Sequence, residues 1–208
     1  MFLAHKTLLK QNSYQVLDQY DKKKVLVNNN GYKLVSNVCP HQFSLISTTS
    51  GSGNRVCPYH NWSFTIDGHP ITSGRTEHYC KNNTQLLTDP VYEWNNLLFD
   101  CPVEFVIKES FANMKLIENR TDIVHSDFRN IMDLFLDVDH IQSIHAGIYD
   151  QIGITDTNVS WNYSKNGSLQ VVDQGALWIA VYPYTMIEWQ KGSLFITIAK
   201  QKENYSTV

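Results

Sequence analysis

Two short runs of the sequence each carry a cysteine and a histidine close together. The first is Cys39-Pro40-His41, and the second, after fifteen intervening residues, is Cys57-Pro58-Tyr59-His60. A thiolate and an imidazole from each run can bind either zinc in a tetrahedral site or an iron–sulfur cluster. A proline follows each cysteine, and its fixed φ angle suits a tight loop that presents ligands. We therefore predict that Cys39, His41, Cys57 and His60 form one metal centre.

The order of the donors distinguishes the two kinds of metal centre. Zinc fingers pair cysteine with cysteine and histidine with histidine, whereas here each run supplies one of each. A Rieske [2Fe–2S] centre binds one iron through two cysteines and the other through two histidines, and this donor set fits it. The sequence favours a Rieske cluster, with structural zinc as the alternative.

The run from Cys57 to Phe64, together with the first run, closely resembles the Rieske domain of the Rieske non-haem iron oxygenases, the catalytic α-subunit type of aromatic-ring-hydroxylating oxygenase. Two departures are visible: Gln42-Phe43 stands where an Arg-Gly pair is usual, and Asn61 replaces a glycine. Asparagine tolerates a left-handed backbone. We expect both departures to change loop geometry and surface charge, because neither position supplies a ligand.

Ser44 and Tyr59 stand where the Rieske proteins of respiratory and photosynthetic complexes have an extra cysteine in each loop. In those proteins the two cysteines form a disulfide, which cannot form between serine and tyrosine. The resemblance therefore implies a soluble, lower-potential kind of Rieske centre.

A second candidate metal site is the run Asp137-x-x-His140-x-x-x-x-His145. Two neutral imidazoles and a carboxylate, with open positions, form the set that holds Fe(II) for O₂ activation. On an ideal helix Asp137 and His140 share a face, whereas His140 and His145 lie about 140° apart. Both histidines reach one metal only if the helix loosens or ends between them. Taken alone, they could equally be surface or satisfied core groups.

The family resemblance assigns roles to these residues. It implies that His140 and His145 bind mononuclear Fe(II). Asp137 would hydrogen-bond to His140 and, across a subunit boundary, to the partner subunit's His60. Asp133 stands where the family often has asparagine, and it could equally be a solvated acid of the helix.

The third iron ligand of the family is an aspartate on a helix that follows the sheet. None of the carboxylates after His145 lies in that context, and we expect the sequence to be truncated relative to the family. Those carboxylates are Asp150, Asp156, Asp173, Glu188 and Glu203.

The elements that must position the first set of ligands are short strands. Residues 1–103 alternate apolar runs with turns, including an Asn-Gly turn after Asn28, and this pattern predicts an all-β domain with a flexible connection at 49–54. The predicted strands lie at 14–17, 24–27, 31–35, 55–56, 63–66, 85–87, 91–94 and 96–99.

Residues 104–208 predict a different, α+β domain. The pattern indicates weak helical character at 109–119 and a helix over 126–146, with Asp127 near its start and Gly147 as its stop. The resemblance makes this domain part of a helix-grip (START-like) catalytic domain with an antiparallel sheet. The apolar stripe of the helix is Phe128, Ile131, Met132, Phe135, Leu136 and Ile144. Five strands are predicted at 159–163, 169–172, 177–182, 186–189 and 194–199.

The bulk properties restrict the possible partners. The chain has 208 residues and a net charge of −3, from 17 basic and 20 acidic side chains, which gives no electrostatic case for nucleic acid. No apolar run approaches the roughly 18 residues of a membrane span, and no apolar core of a signal peptide opens the sequence. We therefore expect a cytoplasmic protein.

The resemblance implies a terminal oxygenase component. A ferredoxin or flavin reductase would supply electrons to the Rieske cluster, and mononuclear Fe(II) would insert oxygen from O₂ into a small aromatic or methylated substrate. The family works as a head-to-tail homotrimer. Two alternatives remain open: a Rieske ferredoxin-like electron carrier with an incomplete catalytic domain, and a non-redox binding module.

Overall fold

The computed structural model describes residues 1–71, 84–137, 140, 144, 159–172, 176–190, 192–202 and 205–208. Their contacts divide the chain into two compact units, Leu3–Asp100 and Met1–Phe2 with Cys101–Val208. The described residues form antiparallel sheets and one α-helix, so the predicted fold class is confirmed. The finer division into 1–103 and 104–208 stays a prediction.

The unit Leu3–Asp100 is built from strands and two short 3₁₀ helices, Lys6–Leu8 and Asp18–Tyr20. Its strands are β1 (Phe2–His5), β2 (Ser13–Val16), β3 (Lys24–Asn28), β4 (Tyr32–Ser36), β5 (Gly51–Ser52), β6 (Arg55–Val56), β7 (Ser63–Phe64), β8 (Pro70–Ile71), β9 (Thr88–Pro90), β10 (Tyr92–Trp94) and β11 (Leu97–Phe99). They form sheets in the orders β5-β2-β3-β4-β9, β1-β11-β10 and β6-β7-β8.

A hairpin between β3 and β4 leads the chain to the first ligand run. The predicted Asn-Gly turn has Asn30 and Gly31 at positive φ, 52° and 132°, which these two residue types tolerate best. The register pairs Val25 with Val35, and both are fully buried. They pack in one cluster with Phe64 and with both ligand cysteines, so the ligand runs begin from the core of the unit.

The second unit contains a five-stranded antiparallel meander, in the order β13-β14-β15-β16-β17. On one face of this sheet, Trp178 and Met186 pack against Ile131 and Met132 of the helix. The elements are β12 (Ile123–Val124), α1 (Phe128–Leu136), β13 (Val159–Ser164), β14 (Gly167–Val172), β15 (Ala176–Val181), β16 (Thr185–Gln190), β17 (Ser193–Ile198), β18 (Lys200–Gln201) and β19 (Ser206–Thr207).

The helix is shorter than the predicted 126–146. Its N-cap is Asp127, whose carboxylate accepts the N–H of Arg129, and its C-cap is Asp137, at φ −78° and ψ 97°. The prediction of one continuous helix through the Asp137–His145 run is therefore wrong. Gln170 of β14 donates to the Leu136 carbonyl at 3.0 Å, which supplies a tertiary partner where the helix bonds stop. His140 is helical again, and His145 and Gly147 lie outside the described residues.

Three other local predictions differ from the structure. Residues 109–119 contain a turn, closed by a bond from Met114 to Phe111, and no helix. Phe111 is buried, but Ile117 is 88% exposed, so no apolar face exists to hold a short helix against the sheet. The strand predicted at 85–87 lies at Thr88–Pro90, and the predicted flexible connection includes β5.

Within the described part of the chain, no helix reaches the length and hydropathy of a membrane span.

Candidate metal centres

The two ligand runs form loops with the same backbone hydrogen bonds. In residues 39–44 and 57–62 alike, the cysteine carbonyl accepts the N–H four residues ahead, and the cysteine N–H donates to the carbonyl five residues ahead. The histidine is the third residue of the first loop and the fourth of the second. The distances are 2.9 Å (Phe43 to Cys39), 3.0 Å (Asn61 to Cys57), 2.9 Å (Cys39 to Ser44) and 2.8 Å (Cys57 to Trp62).

The fifth residue of each loop is left-handed, with φ of 56° at Phe43 and 59° at Asn61. These are the two positions where the resembled family has glycine. The left-handed tolerance expected of Asn61 is therefore confirmed. Phe43 adopts the same conformation against the preference of a bulky residue, at a cost of roughly 1–2 kcal/mol. Its ring is 77% exposed, so packing does little to offset this cost.

The two ligand thiols are buried and close enough to hydrogen-bond each other. Burial raises the pKa of the Cys39 thiol. Burial also disfavours the Cys57 thiolate, but hydrogen bonds from the Ser44 hydroxyl and from the N–H groups of Tyr59 and His60 outweigh it and lower the pKa of Cys57. The Ser44 oxygen lies 3.2 Å from the Cys57 sulfur. Hydrogen bonds from both loops thus favour the thiolate of Cys57, the form in which cysteine binds a metal.

The two ligand histidines also lie together. Their ring centroids are 4.6 Å apart, and His41 stacks on Trp62 at 4.8 Å with planes 5° apart. Nδ1 of His41 is buried and has no hydrogen-bond partner among the described residues. Such a buried nitrogen costs about 1–3 kcal/mol unless a ligand satisfies it. His60 is exposed, so the imidazole edge of the centre faces solvent.

The four donors therefore form two like pairs, one of thiols and one of imidazoles. This arrangement fits a cluster that takes sulfur ligands at one iron and nitrogen ligands at the other. Cys39 and Cys57 would hold one iron, and His41 and His60 would hold the other. In the part of the chain that is described, no three His, Cys, Asp or Glu side chains are grouped to hold a single ion.

Sequence reasoning missed what Ser44 contributes. Its hydroxyl bonds to the thiol of the opposite loop, whereas the sequence indicated only that a disulfide is impossible at this position. No spacing rule could have revealed this bond, because it depends on how the two loops face each other.

The second site is described at Asp137 and His140. Nδ1 of His140 donates to the Asp137 main-chain carbonyl at 2.5 Å, since a carbonyl can only accept. The Asp137 carboxylate accepts the His140 backbone N–H at 3.3 Å, while its other oxygen lies 3.9 Å from Nδ1. The proton is thus held on Nδ1, which makes Nε2 the nitrogen that can bind a metal.

The structure leaves the rest of this site as prediction. His145 lies outside the described residues, as do Asp150, Asp156, Asp173 and Glu203. Asp133 is exposed on α1 and its backbone carbonyl accepts the Asp137 N–H. Glu188 lies in β16, within the sheet.

Comparisons with known proteins identify the first of these sites. Residues 1–83 match the family model of the Rieske [2Fe-2S] domain. The centre formed by the two loops is thus a [2Fe–2S] site, and the zinc alternative is set aside.

Comparisons over longer stretches extend the likeness beyond the first domain. Putrescine 2-hydroxylase of Ralstonia nicotianae is 21% identical, over 94% of this chain and 64% of its own length. The carnitine monooxygenase oxygenase subunit of Acinetobacter pittii is 23% identical, over 78% of this chain and 53% of its own. The chain therefore covers less than two thirds of these curated relatives.

Solved structures agree with this fold over the whole chain. A quaternary ammonium Rieske monooxygenase in complex with L-carnitine matches with a TM-score of 0.75 at 17% identity, covering 100% of this chain and 66% of the other. Naphthalene 1,2-dioxygenase matches with a TM-score of 0.74 at 12% identity, covering 100% and 64%. The paired loops and the domain match lead to one conclusion: residues 1–83 form a Rieske [2Fe-2S] domain, in a chain that is similar in sequence and fold to oxygenase components of the Rieske type.

Proposed function

We propose that this chain acts as the terminal oxygenase component of a Rieske oxygenase system, taking electrons from a ferredoxin or flavin reductase. The observation that carries the proposal is the pair of matching loops, with two buried thiols and two adjacent imidazoles. The anchored His140 ring, with Nε2 as its metal-binding nitrogen, supports a second iron site in the other unit.

When bound, the cluster would supply one-electron transfer and the mononuclear iron would supply O₂ activation. The residues of the chain have their own tasks. Cys39 and Cys57 supply two buried sulfur ligands, and His60 presents the exposed edge of the centre to a partner surface. Asp137 orients His140 through its backbone carbonyl and carboxylate. We propose that this carboxylate also contacts the partner subunit's His60 in a head-to-tail trimer.

Iron content tests this function against the electron-carrier alternative. Full-length chain reconstituted anaerobically with iron and sulfide should hold three irons per chain and give a Rieske electron paramagnetic resonance signal. His140→Ala should lose one iron and all oxygenation while the cluster spectrum stays unchanged. The control is His125→Ala, since His125 is an exposed histidine of the same unit. Two irons in the wild type would favour a carrier, and loss of the cluster spectrum in His140→Ala would contradict separate sites.

The sheet of the second unit suggests a substrate class. Glu188 lies directly opposite Trp178 on one neighbouring strand and Phe195 on the other, so the three side chains share a face. Burial raises the pKa of Glu188, and no cationic side chain among the described residues forms an ion pair with it. A half-buried carboxylate between aromatic rings suits a cationic group, through charge and cation–π attraction.

We therefore propose a small amine or quaternary ammonium compound as the substrate. The names of the relatives agree with this choice, since one denotes a putrescine hydroxylase and another a carnitine monooxygenase. Monooxygenation is the reaction that both names suggest.

Glu188→Gln tests the substrate class. The substitution keeps the shape and removes the charge, so KM for a diamine or a quaternary ammonium compound should rise about tenfold or more, with kcat little changed. In the wild type, affinity for these compounds should fall as pH falls through the raised pKa of Glu188, because protonation removes the charge. Glu93→Gln, at an exposed site in the other unit, is the control. Turnover of a neutral aromatic compound with equal KM in Glu188→Gln and wild type would contradict the amine proposal and leave the oxygenase proposal intact.

A further inference from the structure

A guanidinium lies buried at the start of the second ligand loop. Arg55 precedes Cys57 by two residues and is 1% exposed. Its Nε and Nη2 have no hydrogen-bond partner, and no carboxylate forms an ion pair with it, among the described residues. Its planar group lies over the Tyr14 ring at 5.8 Å. A buried cation with so little compensation is costly, so its presence calls for an explanation.

Arg55 connects the starts of both ligand loops. Its Nη1 donates to the Ser36 carbonyl at 3.3 Å and to Oδ1 of Asn37 at 3.4 Å. Asn37 is fully buried and precedes Cys39 by two residues, as Arg55 precedes Cys57. An extended chain advances about 3.3 Å per residue. The backbone of Asn37 therefore lies within roughly 7 Å of the backbone of Cys39, and the backbone of Arg55 lies within the same distance of that of Cys57.

Asn37 is itself held firmly by the protein. Its Nδ2 donates to the carbonyls of Lys22 and Ser47 at 2.7 Å each, and its Oδ1 accepts the Ser47 N–H at 3.0 Å. The first loop therefore starts from a fixed side chain, and Arg55 ties the second loop to it.

The charge of Arg55 also bears on the electron that the cluster accepts. An arginine guanidinium is not deprotonated in proteins, so Arg55 is charged at neutral pH. In the oxidised centre, two ferric ions are balanced by two sulfides and two thiolates, and one added electron leaves a net negative charge. A cation in the protein interior is weakly screened and stabilises that charge. By contrast, Lys24 and Lys33 of the same unit are each 2.7 Å from a carboxylate, so their charges are largely compensated.

We propose that Arg55 is a positioning residue of the cluster, which fixes the two ligand loops relative to each other through Asn37 and stabilises the reduced form with its buried positive charge. The proposal rests on the cluster assignment, which the visible spectrum of the wild type tests separately, and it does not depend on oxygenase activity.

Redox titration of the full chain tests this role. Each protein is reconstituted with iron and sulfide, and dithionite supplies one electron per cluster while the electron paramagnetic resonance signal is followed against ambient potential. Arg55→Met and Arg55→Gln should reduce the equilibrium constant for reduction about tenfold, a shift of about 59 mV to lower potential for a one-electron couple. Arg55→Lys should keep a potential near that of the wild type, because it keeps the charge. The matched control is Lys33→Met, which removes a charge that a carboxylate already compensates, and its reduction potential should equal that of the wild type.

Two results would overturn the proposal. One is a neutral variant with a full cluster and a wild-type potential. The other is a reduction potential of Arg55→Lys that is shifted as far as those of the neutral variants. The loss of the planar guanidinium, and not the loss of charge, would then explain the shift. If neither neutral variant binds iron, Arg55→Lys decides alone. A wild-type reduction potential would support the role of the positive charge, and a tenfold fall in the equilibrium constant for reduction would reject it.

Discussion

At the scale of single residues, the sequence predicted four cluster ligands but not the side chains that surround them. The order of cysteine and histidine in each run predicts Cys39, His41, Cys57 and His60 as ligands, and the structure brings their thiols and their imidazoles together in like pairs. The hydroxyl of Ser44 and the guanidinium of Arg55 act through contacts between segments far apart in sequence. Such contacts exist only once the two loops face each other.

Phe43 offers a direct prediction on stability. Phe43→Gly should raise the free energy of unfolding by about 0–1.5 kcal/mol. Glycine removes roughly 1–2 kcal/mol of left-handed strain, and the greater entropy of the unfolded chain offsets about 0.5–1 kcal/mol of that gain. Denaturant unfolding of the reconstituted protein measures it. Phe43→Ala is the control, because alanine removes the ring and keeps the strain. Equal stabilisation by alanine and glycine would show that the exposed ring, not the backbone, is unfavourable.

At the scale of elements, the apolar pattern predicted the positions of the strands well, but it did not predict where α1 ends. The strands of the meander lie where their β-branched and aromatic runs predicted them, to within a residue or two. The helix pattern continues past Leu136, yet the helix stops there, where Gln170 from β14 binds the last carbonyl. A periodicity argument carries no information about a partner 34 residues away.

The bond from Gln170 leads to a prediction about the second iron. Gln170→Leu should lower stability by about 1–3 kcal/mol, because the Leu136 carbonyl loses its donor. It should also weaken binding of the mononuclear iron, since Asp137 and His140 follow directly after that carbonyl. Denaturation curves and iron content per chain are the measurements. Gln190→Leu, in β16 of the same sheet, is the control. Retention of all three irons and of full stability in Gln170→Leu would refute the role of this bond.

At the scale of the whole molecule, the sequence predicted an all-β region followed by a helix and an antiparallel sheet, and each of the two units has that content. The resemblance to Rieske proteins depended on the residue types and the spacing of the two ligand runs. The face of the sheet on which the amine proposal rests could not be derived in the same way. Glu188, Trp178 and Phe195 come together only through strand register.

Electron transfer between subunits supplies the prediction at this scale. Asp137→Asn should leave both metal sites loaded and the cluster reducible, but slow oxidation of the reduced cluster by O₂ in the presence of substrate roughly 10- to 100-fold. Stopped-flow absorbance of the cluster measures this rate, and light scattering measures whether trimers form. Asp133→Asn, one turn earlier on an exposed face, is the matched control. An unchanged rate in a trimeric Asp137→Asn protein would remove this carboxylate from the proposed path.

The matching backbone bonds of the two loops have a consequence for how the protein matures. Each loop closes on itself through its own main-chain hydrogen bonds, so we expect the loop to hold its shape before a cluster is inserted. A cellular carrier could then deliver a preassembled inorganic core to a polypeptide that has already folded. Exchange of damaged cores would in turn leave the surrounding sheets intact.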